Sequence, residues 1–395
     1  MSMNNLTVKN DIDLGIVTYE PFPIGMAATN RFISYSKEIC KKYKKVKVYI
    51  AKPTEIDNDI SNFESEGSYN DIKFKYVHNK TVWIKGQSKL KKIIIILNGI
   101  YLLFVNLKKD RPKSIILVSN NLLLMISMWL ASKLYKFNYF LEKSEYPIPE
   151  QLNKNYYYQK FYFLRYRLFD GTLVMTKELQ KFFNNIGQKN QFHLPMSVDF
   201  IKFSNLEKTS SNKYFAYCGG GNYERDGLFN IVKAFIRISD KYPNYELIII
   251  GPINNNNGYF KKIQTEISEK STKQIKFIGK VSSAKVPQWI VNAECLIMTP
   301  QKDFTSGGFP TKLGEYLSTG NPVICTNVSE IPYYLDKSSA ILIDPKDDLL
   351  IYNAIEFVIN NPIECKSIGI MGQKVVQNNF EVKKYIDSLI KYLKL

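Results

Sequence analysis

A segment rich in glycine and proline in the second half of the chain is the strongest candidate for a ligand-binding loop. Ser306, Gly307 and Gly308 allow the backbone to approach a ligand closely, because glycine lacks a Cβ. Pro310 suits the first turn of a helix that we predict to run to about Thr319. The free N–H groups and the dipole at that helix start favour an anionic group such as a diphosphate.

Two side chains of opposite charge share one face of this predicted helix. Lys312 and Glu315 are three positions apart, which places them side by side near the helix start. A cation for phosphate oxygens and a carboxylate for ribose hydroxyls are what a nucleotide sugar needs. The same spacing also fits an ordinary helix whose ion pair contributes about 0.2–0.5 kcal/mol, so spacing alone leaves both interpretations open.

A glycine-rich turn in the middle of the chain is a second candidate phosphate site. Three glycines, Gly219 to Gly221, follow a predicted strand, and Arg225 precedes a helix that we predict over Leu228–Ser239. The planar guanidinium of Arg225 can bind two phosphate oxygens at once. The spacing matches neither the P-loop nor G-x-G-x-x-G, so a simple tight turn is the alternative interpretation.

Two loops in the first half of the chain could face a ligand. Gly25 lies in a loop where the backbone could approach a sugar or phosphate, and Arg31 nearby fits either this site or an ordinary surface position. Glu142 and Glu145 lie just past a predicted strand, where carboxylates of an α/β domain face its site. A solvated loop accounts for these two carboxylates equally well.

Other chemistries have little support. With His78 and His193 as the two histidines, no close cluster could hold zinc, and a histidine-based triad is poorly supplied. Asp11 and Asp13 match a D-x-D metal pattern formally, but they precede the first strand and should face solvent. We therefore expect no metal dependence.

The chain of 395 residues has a formal net charge of +18, and lysine runs such as Lys41–Lys47 and Lys89–Lys92 contribute to it. An anionic partner is therefore expected. Nucleic acid, anionic lipid headgroups and phosphorylated substrates all meet this expectation, and so does a merely solvated, lysine-rich surface. Net charge does not choose among them.

The five cysteines include no C-x-x-C pair, and several lie in apolar runs, which is typical of buried thiols in a reducing cytoplasm. The first ten residues are polar and lack the apolar core of an export signal. The most apolar stretch, Ile93–Leu107, is shorter than the roughly 20 residues that span a bilayer, so we predict a buried or interfacial helix. These features predict a cytoplasmic protein.

Short apolar runs rich in β-branched residues alternate with helical segments, which predicts parallel sheets. The predicted strands are Leu14–Thr18, Val46–Ile50, Ile115–Ser119, Tyr139–Glu142, Thr172–Thr176, Tyr214–Cys218, Leu247–Gly251, Ile275–Gly279, Cys295–Thr299, Pro322–Cys325 and Ile341–Asp344. The polar stretch Ser204–Lys213 reads as a linker. We therefore predict an α/β fold of two Rossmann-like doubly wound domains, residues 1–203 and 204–378, facing each other across a cleft that holds the site. Residues 379–395 should form a helix that packs back toward the first domain.

One segment carries a family resemblance. Phe309–Ile324, with Lys312, Glu315 and a Gly-x-Pro-Val sequence from Gly320, resembles the donor-site helix of the group 1 glycosyltransferases, a large family of retaining GT-B enzymes (family 4). The resemblance implies a GT-B fold, a nucleotide-sugar donor and retention of the anomeric configuration.

Further elements extend the resemblance over most of the chain. Pro23–Gly25 is similar to the family's N-terminal glycine loop, and Glu145–Pro147 is similar to a recurrent first-domain element. Leu194–Asp199 looks like the interdomain signature. Arg225–Gly227 is similar to the family's Lys-Asp-Gly element, whose base binds donor phosphate, with arginine in place of lysine.

The chain departs from the family at two positions. The family's paired glutamates are eight positions apart, and Gly307 stands eight positions before Glu315, so the first carboxylate is missing. Gly219–Gly221 fill the turn in which the family often has a basic residue. Amides of Gly307 and Gly308 would then contact the sugar hydroxyls.

These observations lead to a predicted site without a metal. We predict that Glu315 holds the ribose of a UDP- or GDP-sugar, while Arg225, Lys312 and the helix-start amides neutralise the departing diphosphate. The residues assigned to donor binding are Gly25, Gly220, Arg225, Ser306, Gly307, Gly308, Phe309, Lys312, Leu313 and Glu315. Those assigned to catalysis are Glu145, Arg225 and Glu315.

The predicted partners are a lipid-linked or oligosaccharide acceptor in bacterial surface polysaccharide synthesis and an anionic membrane surface at the inner face of the cell membrane. The membrane contacts would come from Lys41–Lys47, Trp83, Lys89–Lys92 and Tyr156–Tyr158. No nucleic-acid-binding motif is present, so we expect no nucleic acid. A sugar-nucleotide epimerase of the same fold and a non-catalytic sugar-nucleotide-binding protein are the alternatives.

Overall fold

The computed structural model of the chain describes residues 12–57, 60–84, 86–147, 160, 162–220, 223–269, 273–301, 307–345 and 347–395. The chain forms two compact units. The first comprises the chain up to Leu194 together with Val382–Leu395, and the second is Pro195–Glu381.

Strands and helices alternate in the first unit. In chain order they are β1 (Leu14–Thr18), α1 (Ala27–Lys41), β2 (Val46–Ile50), β3 (Glu55–Ile56), β4 (Glu66–Tyr69), β5 (Ile72–Tyr76), β6 (Val82–Trp83), α2 (Lys89–Asp110), β7 (Ser114–Val118), α3 (Leu122–Tyr135), β8 (Asn138–Lys143), β9 (Gly171–Val174), α4 (Lys177–Asn185) and β10 (Gln191–His193). A 3-10 turn, Arg165–Leu168, precedes β9.

The described strands of the first unit form one large sheet in the order β10-β9-β8-β7-β1-β2-β5-β4, beside a small β3-β6 pair. All five residues of the central strand β1 are buried, as its unbroken apolar sequence predicts. Pairing in the large sheet is parallel apart from β4, which pairs antiparallel with β5 at the edge. The exposed sequence of β4, Glu-Gly-Ser-Tyr, has no apolar alternation and gave no strand signal.

The second unit repeats the alternation. Its elements are α5 (Ile201–Ser204), β11 (Lys213–Cys218), α6 (Leu228–Lys241), β12 (Tyr245–Ile250), α7 (Gly258–Glu269), β13 (Ile275–Gly279), α8 (Val286–Asn292), β14 (Cys295–Met298), α9 (Thr311–Ser318), β15 (Val323–Thr326), α10 (Ile331–Tyr334), β16 (Ile341–Ile343), α11 (Asp348–Asn360) and α12 (Pro362–Asn379). The described strands form a parallel sheet in the order β13-β12-β11-β14-β15-β16. The α/β class and the parallel sheets are therefore as predicted.

The boundary between the units lies before the predicted one. Residues 195–203, which we assigned to the first domain, belong to the second unit. The polar stretch that reads as a linker packs on α8, where the backbone N–H of Thr209 donates to Asn292 Oδ1 at 2.9 Å. Polar residues that bond to a neighbouring helix and polar residues of a free linker look alike in sequence.

The last residues of the chain complete the core of the first unit. A 3-10 turn at Val382–Tyr385 leads into α13 (Ile386–Tyr392). Val382, Ile386, Leu389 and Leu393 are buried in the same apolar cluster as β1, β2 and α1. Ser114 Oγ at the start of β7 donates to the carbonyl oxygen of Leu393 at 2.5 Å, which fixes this segment against the sheet.

Candidate functional site

The sheet of the second unit has a topological switch point between β11 and β14. From β11 the chain passes through α6 to β12 on one side, whereas β14 pairs with β11 on the other side. The loops that leave the carboxyl ends of β11 and β14 therefore diverge, and such a crevice is where open α/β sheets bind ligands. Gly220 and Arg225 follow β11, and the Gly307–Pro310 loop lies between β14 and α9.

Hydrogen bonds join the two loops at this switch point. The N–H of Gln301 donates to the carbonyl oxygen of Arg225 at 3.0 Å. Thr299 Oγ1 donates to the carbonyl oxygen of Asp226 at 3.3 Å. Gly220 is exposed and Arg225 is partly buried in this region, so the predicted phosphate turn lies at the carboxyl edge of the sheet.

Lys312 has a partner that the sequence does not indicate. Its Nζ donates to Asp226 Oδ2 at 2.8 Å, and the Tyr217 hydroxyl donates to the same oxygen at 2.5 Å. Lys312 Nζ also lies 5.6 Å from the centre of the Tyr217 ring. One carboxylate thus fixes the lysine against the end of β11, and an ammonium group still has two further N–H donors for a ligand.

Tyr316 attaches α9 to the end of β11. Its hydroxyl accepts from the N–H of Cys218 at 2.6 Å and donates to the Cys218 carbonyl oxygen at 3.1 Å. The ring is buried. The start of α9 is therefore held at the carboxyl end of β11, where the glycine turn begins.

Glu315 is the second charged side chain on this part of α9. It is partly buried, and no hydrogen bond or ion pair joins its side chain to another residue in the described part of the chain. Burial raises the pKa of Glu315, while the positive charges of Lys202 and Lys312 act in the opposite direction. A shielded carboxylate near two positive charges is suited to accepting hydrogen bonds from a ligand's hydroxyl groups.

Aromatic side chains pack against Phe309 in the loop before α9. Phe309 is buried, with its ring centre 5.6 Å from that of Tyr334 and 5.2 Å from that of Phe380. Leu313 is fully buried as well. We assigned these two side chains to donor binding. Both are apolar and buried, so they support the loop by packing in the core.

The backbone of this loop requires glycine at one position. Gly307 has a φ of 70°, in the left-handed region that other residues adopt only with strain. A glutamate, which the family has eight positions before Glu315, would be strained there. The carbonyl oxygen of Gly308 accepts from Ser329 Oγ at 2.7 Å. The helix that follows has no side-chain cap in the described structure, so its first amides can face a ligand.

Gly25 in the first unit follows β1, at the switch point between β1 and β7. A Cβ at Gly25 would overlap Thr29 Oγ1 and the carbonyl oxygen of Pro21, so only glycine fits. The loop is fixed by Asn62, whose Oδ1 accepts from the N–H of Ile24 at 2.8 Å. The Gly25 loop is therefore tightly packed, with its backbone in close contact with Thr29 and Pro21.

The two carboxylates after β8 have different environments. Glu142 is buried and accepts from Arg31 Nε at 2.6 Å and from the Tyr35 hydroxyl at 2.7 Å. Arg31, for which a surface position was an alternative, is only 4% exposed and also donates to the carbonyl oxygen of Leu194 at 2.6 Å. Glu145, two residues beyond the strand, is exposed. Glu142 thus joins elements of the core, and Glu145 is the carboxylate that a ligand can reach.

A buried lysine at the end of β8 gave no signal in the sequence. Lys143 is 6% exposed, and its amino group forms no ion pair or hydrogen bond within the described residues. Burial, together with the nearby Arg165 charge, lowers the pKa of Lys143 to about 7. A lysine in a strand of alternating exposure would face solvent, but β8 is covered on both sides.

Some predicted residues lie outside the described residues, namely Ser306, Gly221, Asp11 and Tyr156–Tyr158. Asp13 of the formal D-x-D pattern accepts from Lys113 Nζ at 2.6 Å. Over the described ranges, no group of three or more His, Cys, Asp or Glu side chains is arranged to hold a metal ion.

Comparison with known proteins decides the family of the second unit. Residues 199–375 match the family described as Glycosyl transferases group 1. These residues are a group 1 glycosyltransferase domain. The match confirms the family resemblance of the donor-site helix, and the whole predicted switch-point site of the second unit lies within the group 1 domain.

Relatives and solved structures extend the likeness beyond the group 1 domain. An uncharacterized glycosyltransferase of Methanocaldococcus jannaschii is 24% identical over 295 residues, which cover 65% of this chain and 70% of that protein. Sucrose-phosphate synthase from Thermosynechococcus elongatus superposes with a TM-score of 0.75 at 13% identity, over 97% of this chain and 99% of that one. Anabaena HepE in complex with UDP and glucose superposes with a TM-score of 0.69 at 12% identity, over 97% of this chain and 99% of that one. The chain therefore has the GT-B fold, and its residues 199–375 carry the match to the group 1 glycosyltransferases.

Proposed function

We propose that this chain transfers a hexose from a UDP- or GDP-sugar to a hydroxyl group of a lipid-linked or oligosaccharide acceptor, with retention of the anomeric configuration. The reaction would serve the assembly of a bacterial surface polysaccharide such as a capsule or the O-antigen of lipopolysaccharide. One observation carries the proposal. Glu315 is a shielded carboxylate with no partner within the described residues, in the helix that begins at the switch point, and it is under the influence of two positive charges.

Donor binding follows from the chemistry of this edge. Glu315 would accept hydrogen bonds from the ribose hydroxyls. The diphosphate would lie against the first amides of α9, where unsatisfied N–H groups and the helix dipole favour negative charge. Arg225 in the neighbouring turn and Lys312 would complete the phosphate site. The structure of HepE with UDP and glucose, in the same fold, supports this class of donor.

Catalysis would consist mainly of stabilising the leaving group. As the bond from C1 of the sugar to the diphosphate oxygen breaks, negative charge grows on the diphosphate, and Arg225, Lys312 and the α9 amides would stabilise that charge. Lys312 is positioned by Asp226 at 2.8 Å, so little reorganisation is needed. Amides of Gly307 and Gly308 would contact the sugar hydroxyls where the family has a glutamate.

The acceptor would bind on the first unit, beside Gly25 and Glu145. The exposed carboxylate of Glu145 is the proposed base for the proton of the attacking hydroxyl. Attack on the same face that the diphosphate leaves would give retention. Analysis of the anomeric configuration of the product by NMR tests this part: a product of inverted configuration contradicts it.

A thermal-shift screen of UDP, GDP, CMP and their sugar conjugates tests the donor site. We expect one nucleoside diphosphate and its sugar to stabilise the chain, and Glu315→Gln to weaken that binding by about tenfold or more, since a charged hydrogen bond contributes roughly 1.5–3 kcal/mol. Glu364→Gln, on the exposed surface of the same unit, is the matched control and should bind as the wild type does.

Two outcomes would contradict the proposal. Absence of stabilisation by every nucleotide would remove the donor site. Stabilisation without transfer of sugar to any acceptor, but with conversion of the free sugar nucleotide into its epimer, would indicate the epimerase. Stabilisation with no conversion at all would indicate the non-catalytic binding protein.

A further inference from the structure

Helix α2 carries apolar side chains on two opposite faces. Its inner face, with Gly99, Leu103 and Leu107, is buried. Its outer face exposes a second apolar stripe at helical spacing, and these side chains are about half exposed or more. They are Leu90, Ile93, Ile94, Leu97, Tyr101 and Val105, with exposed fractions of 68%, 53%, 55%, 51%, 66% and 49%. The core of the unit accounts for the inner face and leaves the outer one unexplained.

Helix α3 lies beside α2 and has the same property. The two helices pack together, with the ring centres of Phe104 and Tyr135 at 6.1 Å. Met125, Met128 and Ala131 of α3 are buried. The exposed apolar residues of α3 are Leu122, Leu123, Ile126, Leu130 and Leu134. We call the eleven exposed apolar residues of α2 and α3 the outer apolar face.

Basic residues surround this face, and exposed acidic residues are absent from both helices. Lys89, Lys91 and Lys92 are exposed at the start of α2, and Lys108 and Lys109 at its end. Lys133 and Lys136 are exposed at the end of α3. The one acidic residue in the two helices is Asp110, which is buried and accepts from Lys47 Nζ at 2.5 Å and from the Tyr49 hydroxyl at 2.7 Å. The outer surface of these helices is thus apolar in the middle and positive at the ends.

We propose that the outer apolar face binds the surface of a membrane that contains anionic lipids. Large exposed apolar surfaces mark interaction sites, because soluble proteins rarely leave them open to water. An apolar face inserted at the level of the headgroups, with lysines at its edges, fits such a membrane in both hydrophobicity and charge. A second copy of the chain fits less well, because two such faces would bring their lysines together.

The geometry indicates that α2 lies on the membrane and does not cross it. Within the described residues α2 is the helix whose length and apolar content suit a membrane span, but one side of it belongs to the core. A Cβ at Gly99 would overlap the carbonyl oxygen of Ala51, so the helix is packed closely on the strand end. Helix α2 also connects β6 to β7, and moving it into a membrane would remove buried side chains such as Leu103 and Leu107 from the core.

This surface differs from the membrane contacts that the sequence predicts. Of the lysines in the first run, Lys41 pairs with Glu38, Lys42 with Asp387 and Lys47 with Asp110. Trp83 is partly buried in β6. Of the predicted contacts that lie within the described residues, Lys89–Lys92 belong to the outer apolar face and its edge. The proposed surface is independent of the proposed reaction, since all its residues lie in α2 and α3.

Vesicle co-sedimentation of the full chain tests the proposal. We expect at least about tenfold tighter binding to vesicles of phosphatidylcholine with phosphatidylglycerol than to phosphatidylcholine alone. The double variant Leu97→Glu with Leu130→Glu should lose about tenfold or more of that binding, because two charges enter the apolar layer. Replacing Lys89, Lys91 and Lys92 by glutamine should weaken binding to the anionic vesicles and leave the weak binding to neutral vesicles unchanged.

The control is Ile363→Glu, which replaces an apolar residue of the second unit that is 86% exposed and should leave vesicle binding unchanged. Circular dichroism melting verifies that each variant is folded. Equal binding of the wild type and the double variant overturns the proposal. A second result also overturns it: in light scattering the wild type is a dimer and the double variant is a monomer, and neither protein binds vesicles. That result would assign the face to contact with a second copy of the chain. Donor binding is measured separately by thermal shift, so failure at this face is distinguishable from failure of the donor site.

Discussion

At the scale of single residues, the edge of the second unit's sheet depends on charged groups that lie far apart in the chain, such as Lys312 and Asp226. The spacing of Lys312 and Glu315 predicted a shared helical face, and both residues lie in α9, within the residues that match the group 1 family. The partner of Lys312 is Asp226, 86 positions earlier in the chain, and no local pattern relates the two. Long-range pairs of this kind depend on which strands are neighbours, here β11 and β14.

Lys143 gives a prediction about pH. Its pKa falls from 10.5 to about 7, so between those values the unfolded chain binds a proton that the folded chain does not. The free energy of unfolding should therefore rise with pH between about 7 and 10.5, by up to about 1.4 kcal/mol per pH unit. Below about pH 7, this residue should add no dependence on pH. Lys143→Met should be more stable than the wild type near neutral pH, and the difference should shrink as the pH rises.

Urea unfolding of both proteins between pH 6 and 10 measures this effect. Lys181→Met removes an exposed lysine from α4 and serves as the control. Parallel curves for the wild type and Lys143→Met would show that Lys143 is charged in the folded state over the whole range.

At the scale of elements, short strands rich in apolar residues were the most predictable features. Strands β1, β2 and β13 have the predicted bounds. Burial accounts for β1 and most of β2, whereas β13 is a partly exposed edge strand whose β-branched and aromatic residues gave the signal. The exposed β4 and the two-residue strands β3 and β6 were missed, since they bury too little to leave a periodic pattern.

The loop before α9 provides a prediction at this scale. Gly307→Ala should cost about 1 kcal/mol of stability, because alanine is strained at a φ of 70°, and should also weaken donor binding as the loop shifts. Gly187→Ala is the matched control. That glycine has a φ of 87° in the first unit, so its replacement should carry a similar stability cost without a change in donor binding.

Thermal unfolding together with titration of the nucleoside diphosphate separates the two effects. If Gly307→Ala binds the donor as tightly as Gly187→Ala does, the loop has no part in the donor site.

At the scale of the whole molecule, the fold class followed from the strand and helix alternation, and the division of the chain did not. The sequence places the boundary at the most polar stretch, yet that stretch bonds to α8. The +18 charge pointed to anionic partners without locating them. Part of this charge surrounds the outer apolar face, which became visible only when the exposed sides of α2 and α3 were known.

Removal of residues 382–395 should destabilise the first unit. Four buried apolar side chains leave its core with this segment, and each large core truncation costs about 2–5 kcal/mol. We expect limited proteolysis to degrade the first unit of the chain truncated after Glu381, while the second unit stays resistant. Truncation after Leu393, which keeps the four side chains, is the control, and equal resistance of the two truncated chains would contradict the prediction.

The return of α13 to the first unit also fixes an order of events on the ribosome. All residues of the second unit are contiguous, from Pro195 to Glu381, whereas the first unit needs residues 382–395 to close its core. Domains usually fold in the order in which they are synthesised. Here the second unit can finish first, and the earlier half of the nascent chain must wait with part of its apolar surface uncovered until translation has passed through α13.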